Sequence, residues 1–413
     1  MNRRAFMQML MTGLSFLPAC RIRQDSADEE PQPPTPPPAD AASKIFWVKH
    51  VPDQPFANGS TSHHAGIDAL LALMGRNELS FYKRKNSFVQ SEAYGLIAAD
   101  DVVLIKVNAQ WKHRGCTNSD LVRGLIQCIL EHPDGFNGEV VIVENGQGRG
   151  SLNCDTWLSY GGDRSVQANA NDPSHSFLYL VQEVFRDRPV SARLLDPLCH
   201  VFIDPQDHVT EGFRRYENVS YPCFTTARGR RVELREGIWN GSAHQQNVKL
   251  INVPVLKHHD VNGSEITAAL KHFYGLVSMS DGYSGERHYL RLGETCGKMV
   301  ASVRAPALHI VDAIWVSHKS LTGYPAEMTF RANQVLASQD PVALDHWAAK
   351  HVLYPHDNNG RHHPDFAGIA AWLEEARDTI NHRGGIFDPG QGIRVGNVTR
   401  DEAAMQIFES LLG

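Results

Sequence analysis

The strongest constraint in this sequence is a set of six apolar runs of strand length, spaced by segments with helical periodicity. They are KIFWVKHV (44–51), DDVVLIKVN (100–108), GEVVIVENG (138–146), VKLINVPVL (248–256), ALHIVDAIW (307–315) and the short run opening QVLASQDPVALDHWAAKHVL (334–353). Runs that stay apolar without alternating belong to strands buried on both faces. SHHAGIDALLALMG (62–75), with a cap near Thr61 or Ser62, and NSDLVRGLIQCILEH (118–132), capped at Thr117 or Asn118, read as helices. So does the segment opened by Asp340 as cap and Pro341 at the first helical position, and so does FAGIAAWLEEARDTIN (366–381). The pattern predicts an α/β fold: a mostly parallel sheet with helices on both faces. From about 150 to 247 the rhythm breaks into Gly, Asp, Asn and Arg, which predicts an inserted irregular lobe.

The amino terminus reads as an address. Arg3-Arg4 precedes an apolar stretch, Phe6 to Leu17, too short to span a bilayer. Asn2-Arg3-Arg4-Ala5-Phe6-Met7 looks like a twin-arginine export signal. Leu17-Pro18-Ala19-Cys20 resembles a lipoprotein box with Cys20 as the lipidated residue; a cleaved signal with a chance cysteine is the alternative. Residues 1–20 are thus expected to be the signal, 21–43 a proline-rich tether, and 44–413 the folded domain. The expected location is the periplasm or cell envelope, with membrane contact through the lipid alone.

The chain carries −6; residues 1–19 hold Arg3 and Arg4 and no acid, so the chain from Cys20 carries −8. With no basic tract beyond the signal, nucleic acid is not an expected partner. Besides Cys20 there are six cysteines, none in a C-x-x-C pair. No iron–sulfur cluster or zinc-ribbon motif is present, and isolated buried thiols are expected for most of them.

In open α/β sheets, ligands bind beyond the carboxyl ends of the strands. The chain places Lys106 and Asn108 at the end of the second run, followed by His113. Glu144 and Asn145 end the third, and Lys257, His258 and His259 the fourth; Asp312 lies in the fifth and Asp340 after the sixth. Singly, each has an ordinary explanation: lysines reach for water, asparagines form turns, and Asp340 caps a helix. Together they mark one edge. In SEITAALKHFYGLVS (264–278) a helix is expected to carry Thr267, Lys271, Tyr274 and Ser278 on one stripe, bringing Lys271 back to the end of the fourth strand. Lysines close together favour an anion between them, and the adjacent histidines titrate near neutrality or bind metal.

GQGRG, Gly146 to Gly150, follows a strand, but a poor helix follows it, so the dinucleotide-turn reading is weak. There is no H-E-x-x-H, G-x-S-x-G or G-x-x-x-x-G-K-[ST]. Adjacent histidines diverge, so a metal site would need histidines distant in sequence.

IKVN, INVPVLKHH…ITAALKHFYGLVS, HIVDAIW and VLASQDPVALDHWA resemble the domain of unknown function 362 family, over roughly Lys44 to His351. The family pattern Pro-x-x-Lys-x-His, then Thr before Leu-Lys-Asn and Gly, falls on Pro254, Lys257, His259, Thr267, Lys271 and Gly275; His272 stands where the family more often has Asn. The resemblance implies an exported bacterial or archaeal protein. Some relatives are fused to a ferredoxin module, whose cysteines this chain lacks, so redox chemistry would need a partner protein or a bound cofactor.

Three readings remain. The leading one is an exported α/β enzyme acting on a small anionic molecule: Lys106, Asn108, Lys257, Thr267 and Lys271 bind it, His259 with His258 or His113 exchanges protons, and Asp312 or Asp340 orients the histidine. The others are a metal-binding or redox-accessory protein and a non-catalytic solute-binding lipoprotein.

Overall fold

The expected strands form, with additions. In chain order β1 (Ser43–Lys49), β2 (Val102–Val107), β3 (Glu139–Glu144) and β4 (Val190–Leu194) come first. β5 (Gly212–Tyr216), β6 (Val219–Thr225), β7 (Arg231–Glu233), β8 (Gly237–Trp239) and β9 (His244–Gln245) follow. Then come β10 (Val248–Val253), β11 (Val255–His258), β12 (Ile266–Thr267), β13 (Leu308–Ser317), β14 (Thr329–Ser338) and β15 (Met405–Leu411). This computed structural model describes residues 42–56, 62–145, 168–259, 266–282, 291–386, 388 and 391–413; the signal, Cys20, the tether to residue 41 and GQGRG lie outside them.

The main sheet has the order β15-β1-β14-β13-β10-β2-β3-β4, with β11 and β12 joined beside β13. Along that path only β14 is reversed. The ends of β2, β3, β11 and β13 therefore share one edge. Among the helices are α1 (Ala65–Arg76), α2 (Ser119–Leu130), α3 (Ala269–His272), α4 (Leu292–Lys298), α5 (Pro341–Ala348) and α6 (Ala367–Asn381). Two cores result. Val103 and Ile105 join Ile67, Leu70 and Leu125 of α1 and α2, whereas Val102 and Leu104 join Leu270, Leu344 and Leu373 of α3, α5 and α6. The two-residue period of a strand sends neighbours to opposite faces, which is why a strand covered on both sides reads as an unbroken apolar run. Among the described residues no helix is long and apolar enough to cross a membrane.

Caps follow side-chain chemistry. Asn118 opens α2, its Oδ1 accepting from the Leu121 N–H at 3.1 Å. α1 is capped by His64, whose Nδ1 accepts from the Ile67 N–H at 3.4 Å, rather than by Ser62. Asp340 opens α5, accepting from the Val342 and Ala343 N–H groups at 2.9 Å each.

Three expectations need correction. The fourth strand is two, β10 and β11, because Pro254 has no N–H to continue the ladder. The helix expected over 264–278 is shorter: Ile266–Thr267 pairs antiparallel with β11, α3 is four residues long, and a 3₁₀ turn, Phe273–Leu276, follows. Its start is fixed by Asp345 of α5, whose carboxylate accepts from Ala269 N–H at 2.6 Å and Leu270 N–H at 3.1 Å. Thr267 is thus off the helical stripe of Lys271. Finally, the stretch read as irregular supplies β4 to the main sheet and builds a separate antiparallel sheet from β5–β9. The alternation there is disguised by charge, since buried Arg214 and Arg231 both pair with fully buried Glu233.

Of the cysteines, Cys116, Cys128, Cys223 and Cys296 are free and buried, as expected for most, while Cys199 is disulfide-bonded.

Candidate functional site

On the face covered by α3, three neighbouring strands each carry one polar residue at the same level. Lys106 of β2 is in register with Asn252 of β10, and Asn252 with His309 of β13. All three are wholly buried. Lys106 Nζ donates to the Val107 carbonyl at 2.9 Å and to the Glu144 carboxylate, and lies 3.0 Å from His272 Nε2. An ammonium has three N–H groups and no acceptor, so His272 must accept at Nε2 and carry its proton on Nδ1. That proton goes to Asn252 Oδ1 at 2.6 Å. The Asn252 amide donates to the Ala269 carbonyl at 2.8 Å and to His309 Nδ1 at 2.9 Å. One proton arrangement therefore runs through five side chains, Glu144–Lys106–His272–Asn252–His309. Burial lowers the Lys106 pKa and raises that of Glu144 to about 8; their contact opposes both shifts. Burial likewise pushes His272 well below its usual value and His309 to about 3, so both rings are neutral at pH 7.

Gly275 lies against the pair. A Cβ there would sit 2.7 Å from Lys106 Nζ and 2.9 Å from its Cε. The tip of a lysine usually swings aside, but this one is held by three acceptors. Gly275→Ala is therefore expected to destabilise the fold by about 1–3 kcal/mol, the range for overpacking. Urea unfolding measures it; a variant as stable as the parent would mean that Lys106 moves freely.

Nearer the surface lies a second cluster. Lys257 of β11 pairs across to Thr267 of β12, and His259 Nε2 is 2.7 Å from Thr267 Oγ1. Lys257, Thr267, His259 and Lys271 keep 3%, 4%, 7% and 8% of their accessible surface. Lys257 Nζ donates to the Gly115 carbonyl at 2.7 Å and the Leu321 carbonyl at 3.1 Å. Among the described residues no carboxylate contacts it, and its third hydrogen position is uncommitted. Burial lowers its pKa to about 7 against the pull of Cys116 and Glu144, with smaller repulsions from Lys271 and Lys106 on the side of burial.

Several expected site residues stand elsewhere or do other work. Lys106 uses all three donors internally and offers none to a ligand. Asn108 is a latch: its Oδ1 accepts from Val255 N–H at 3.0 Å, just past the Pro254 break. Asp312 accepts from Asn118 N–H at 2.7 Å and Ile314 N–H at 3.0 Å, holding the start of α2, and among the described residues orients no histidine; burial raises its pKa to about 7. Asp340 lies at the opposite edge of the sheet, because reversed β14 pairs Ser338 with His309 near the start of β13 and Thr329 with Ser317 at its end. There it caps α5 and accepts from Thr399 N–H at 2.9 Å. The His258–His259 doublet is split by the strand period: His258 is fully buried, its ring 4.5 Å from that of His362. His113 stacks on Tyr324 at 5.0 Å, in a separate cleft.

Sequence reasoning assigned no role to Asn252, His309 or Asp345, placed Glu144 only at the sheet edge, and offered His272 for proton exchange or metal binding, whereas it is a neutral link in the buried row. For Asn252 and His309 the signal is a lone polar residue inside an apolar run, visible as the Asn of LINV and the His of ALHIV, but only the register shows that they align. For metals, His63, Asp68 and Cys128 bring ligand atoms within 4.8 Å of one another, and so do His208, Glu233 and His244. The second group is poorly suited, since a cation there would face the Arg214 and Arg231 guanidiniums that already pair with Glu233.

Fold and site together define an α/β protein with a buried lysine–carboxylate–histidine row and a lysine–histidine cluster at the carboxyl edge of its sheet. Residues 226–350, about three tenths of the chain, match the family described as "Domain of unknown function (DUF362)". That segment contains Lys257, His259, Thr267, Lys271, Gly275 and Asp345 and supports the family resemblance there; Lys106 and Glu144 precede it. No curated protein and no solved structure matches the chain.

Proposed function

We propose that this is an exported enzyme, lipid-anchored at Cys20, that acts on a small anionic molecule at the carboxyl edge of its sheet. Lys257 and Lys271 hold the anion, and Lys257 or His259, the latter steadied by Thr267, exchanges the proton. The observation that carries this reading is Lys257: a buried amine with an uncommitted hydrogen position, close to neutrality in pKa, beside a histidine–threonine pair. Active sites are places where burial and neighbouring charges shift the pKa values of their working groups in this way. A neutral amine binds an anion weakly, so binding brings a proton with it. The Lys106–Glu144–His272 row beneath sets the position of α3 and hence of Lys271.

Calorimetric titration with a panel of small carboxylates and phosphates at pH 7.5 tests this. Binding of at least one anion is expected, with a heat that changes with the buffer's ionisation enthalpy because protons are taken up. No binding, or binding without proton uptake, would sink the reading. A metal-binding or redox-accessory role is the second reading; its support is the His63–Asp68–Cys128 group. Zinc or cobalt retained at that group in protein purified without chelator would favour it.

A further inference from the structure

A cleft of about 500 Å³, whose lining does not include the lysine–histidine cluster, is lined among others by His113, Arg114, Asn169, Trp315, Tyr324 and Arg331. That volume lies within the range of small-molecule sites. Its floor is Trp315 on β13. The Arg114 guanidinium carbon lies 3.2 Å from the Trp315 ring centroid, and that of Arg331 5.3 Å from the same ring. Two guanidiniums thus share one indole, and burial, with repulsion from Arg331, lowers the Arg114 pKa.

Their existing partners leave room for an anion. Arg114 donates to Thr329 Oγ1 at 2.8 Å and, among the described residues, pairs with no carboxylate. Arg331 donates to Asn333 Oδ1 at 2.6 Å and pairs at 3.1 Å with Asp53, whose side chain is 70% exposed. An exposed pair of this kind contributes roughly 0–1 kcal/mol and yields readily to a ligand.

The cleft is also braced. Lys257 ties the Gly115 and Leu321 carbonyls together, and Gly115 N–H donates to the Thr322 carbonyl at 2.9 Å. Gly323 has φ +68°, and a Cβ there would lie 2.4 Å from the Arg114 carbonyl carbon, so the two loops meet backbone to backbone. His113 is held at φ 64°, costly for a residue with a side chain, and its ring stacks on Tyr324. Positioned arginines and a fixed aromatic wall lower the ordering cost of binding.

We propose that this cleft binds a small organic oxyanion, a phosphate or a carboxylate, through Arg114 and Arg331, with the His113–Tyr324 stack as a flat wall beside it. Arginine suits either group, since its planar fork matches both geometries. The site is distinct from the lysine–histidine cluster and does not depend on chemistry at Lys257.

The test follows the indole N–H signal of Trp315 in ¹⁵N-labelled full chain, assigned with Trp315→Phe. Inorganic phosphate and malonate are titrated separately against chloride at matched ionic strength. A saturating shift with either oxyanion, weakened at least tenfold in Arg114→Gln and in Arg331→Gln, is expected; a response to phosphate alone or malonate alone identifies which oxyanion is bound. No saturable shift with either, or an unchanged affinity in both folded variants, would overturn the proposal. Because the probe sits in this cleft, its silence leaves the Lys257 site untouched, and failure of anion binding at Lys257 leaves this site to be judged separately.

Discussion

Lys106→Met is expected to lower folding stability by about 3–5 kcal/mol once the pH is well above 8, the cost of leaving a buried charge without its partner. The substitution removes the cation from Glu144 and the donor from His272. Glu144 already has its pKa raised to about 8 by burial, and losing Lys106 raises it further. A carboxyl with a folded pKa above its unfolded value of about 4.3 binds its proton more tightly when folded. Its contribution is then fully present below pH 4.3 and is lost as pH rises through the folded value. Parent and variant share this loss up to about pH 8, so the deficit of Lys106→Met should be smallest below pH 8 and widen above it, where the parent's Glu144 ionises against Lys106 and the variant's cannot. The double variant Lys106→Met/Glu144→Gln should recover most of the stability and show no such slope. Urea unfolding across pH 5–9 measures both; a single variant that parallels the double one would mean that the pair is not electrostatically coupled.

Lys257→Met is expected to leave the protein folded and to weaken anion binding at least a hundredfold. Its pKa lies near 7 because of burial, below an unfolded value of about 10.4. The sign is opposite to that of Glu144: the folded state holds this proton more weakly. Its contribution is fully present above pH 10.4 and is lost as pH falls towards 7. The parent should therefore gain stability between pH 7 and 10 by up to about 1.4 kcal/mol per pH unit, a slope the methionine variant lacks. Methionine also fills most of the lysine's volume without a buried charge, although the two loop carbonyls lose a donor. Wild-type affinity in this variant would move the anion site elsewhere, and an unfolded protein at pH 7 would make Lys257 a loop clamp only.

Much of the sheet is legible in the sequence because double-sided burial forces apolar runs, and DDVVLIKVN or GEVVIVENG has few other uses. The edge where Lys257 and His259 gather follows from the parallel arrangement. What stays hidden depends on partners distant in the chain. Asp345, more than seventy residues on, decides where α3 begins, so local periodicity overextends that helix. The reversal of β14 cannot be read from its apolar content, yet it carries Asp340 to the far edge. The division of labour between Lys106 and Lys257, identical in type and both at strand ends, rests on Glu144 and His272 being near one and two carbonyls near the other. The β5–β9 sheet escapes notice because its buried positions include arginines paired to Glu233.

The most direct test of the site is the titration of Lys257 itself, followed by the ¹³Cε signals of labelled lysines and assigned with Lys257→Met. A midpoint near pH 7 that moves upward when a small carboxylate or phosphate is added is the expected result, since a bound anion stabilises the ammonium. A midpoint near 10, unmoved by any anion, would contradict a functional Lys257.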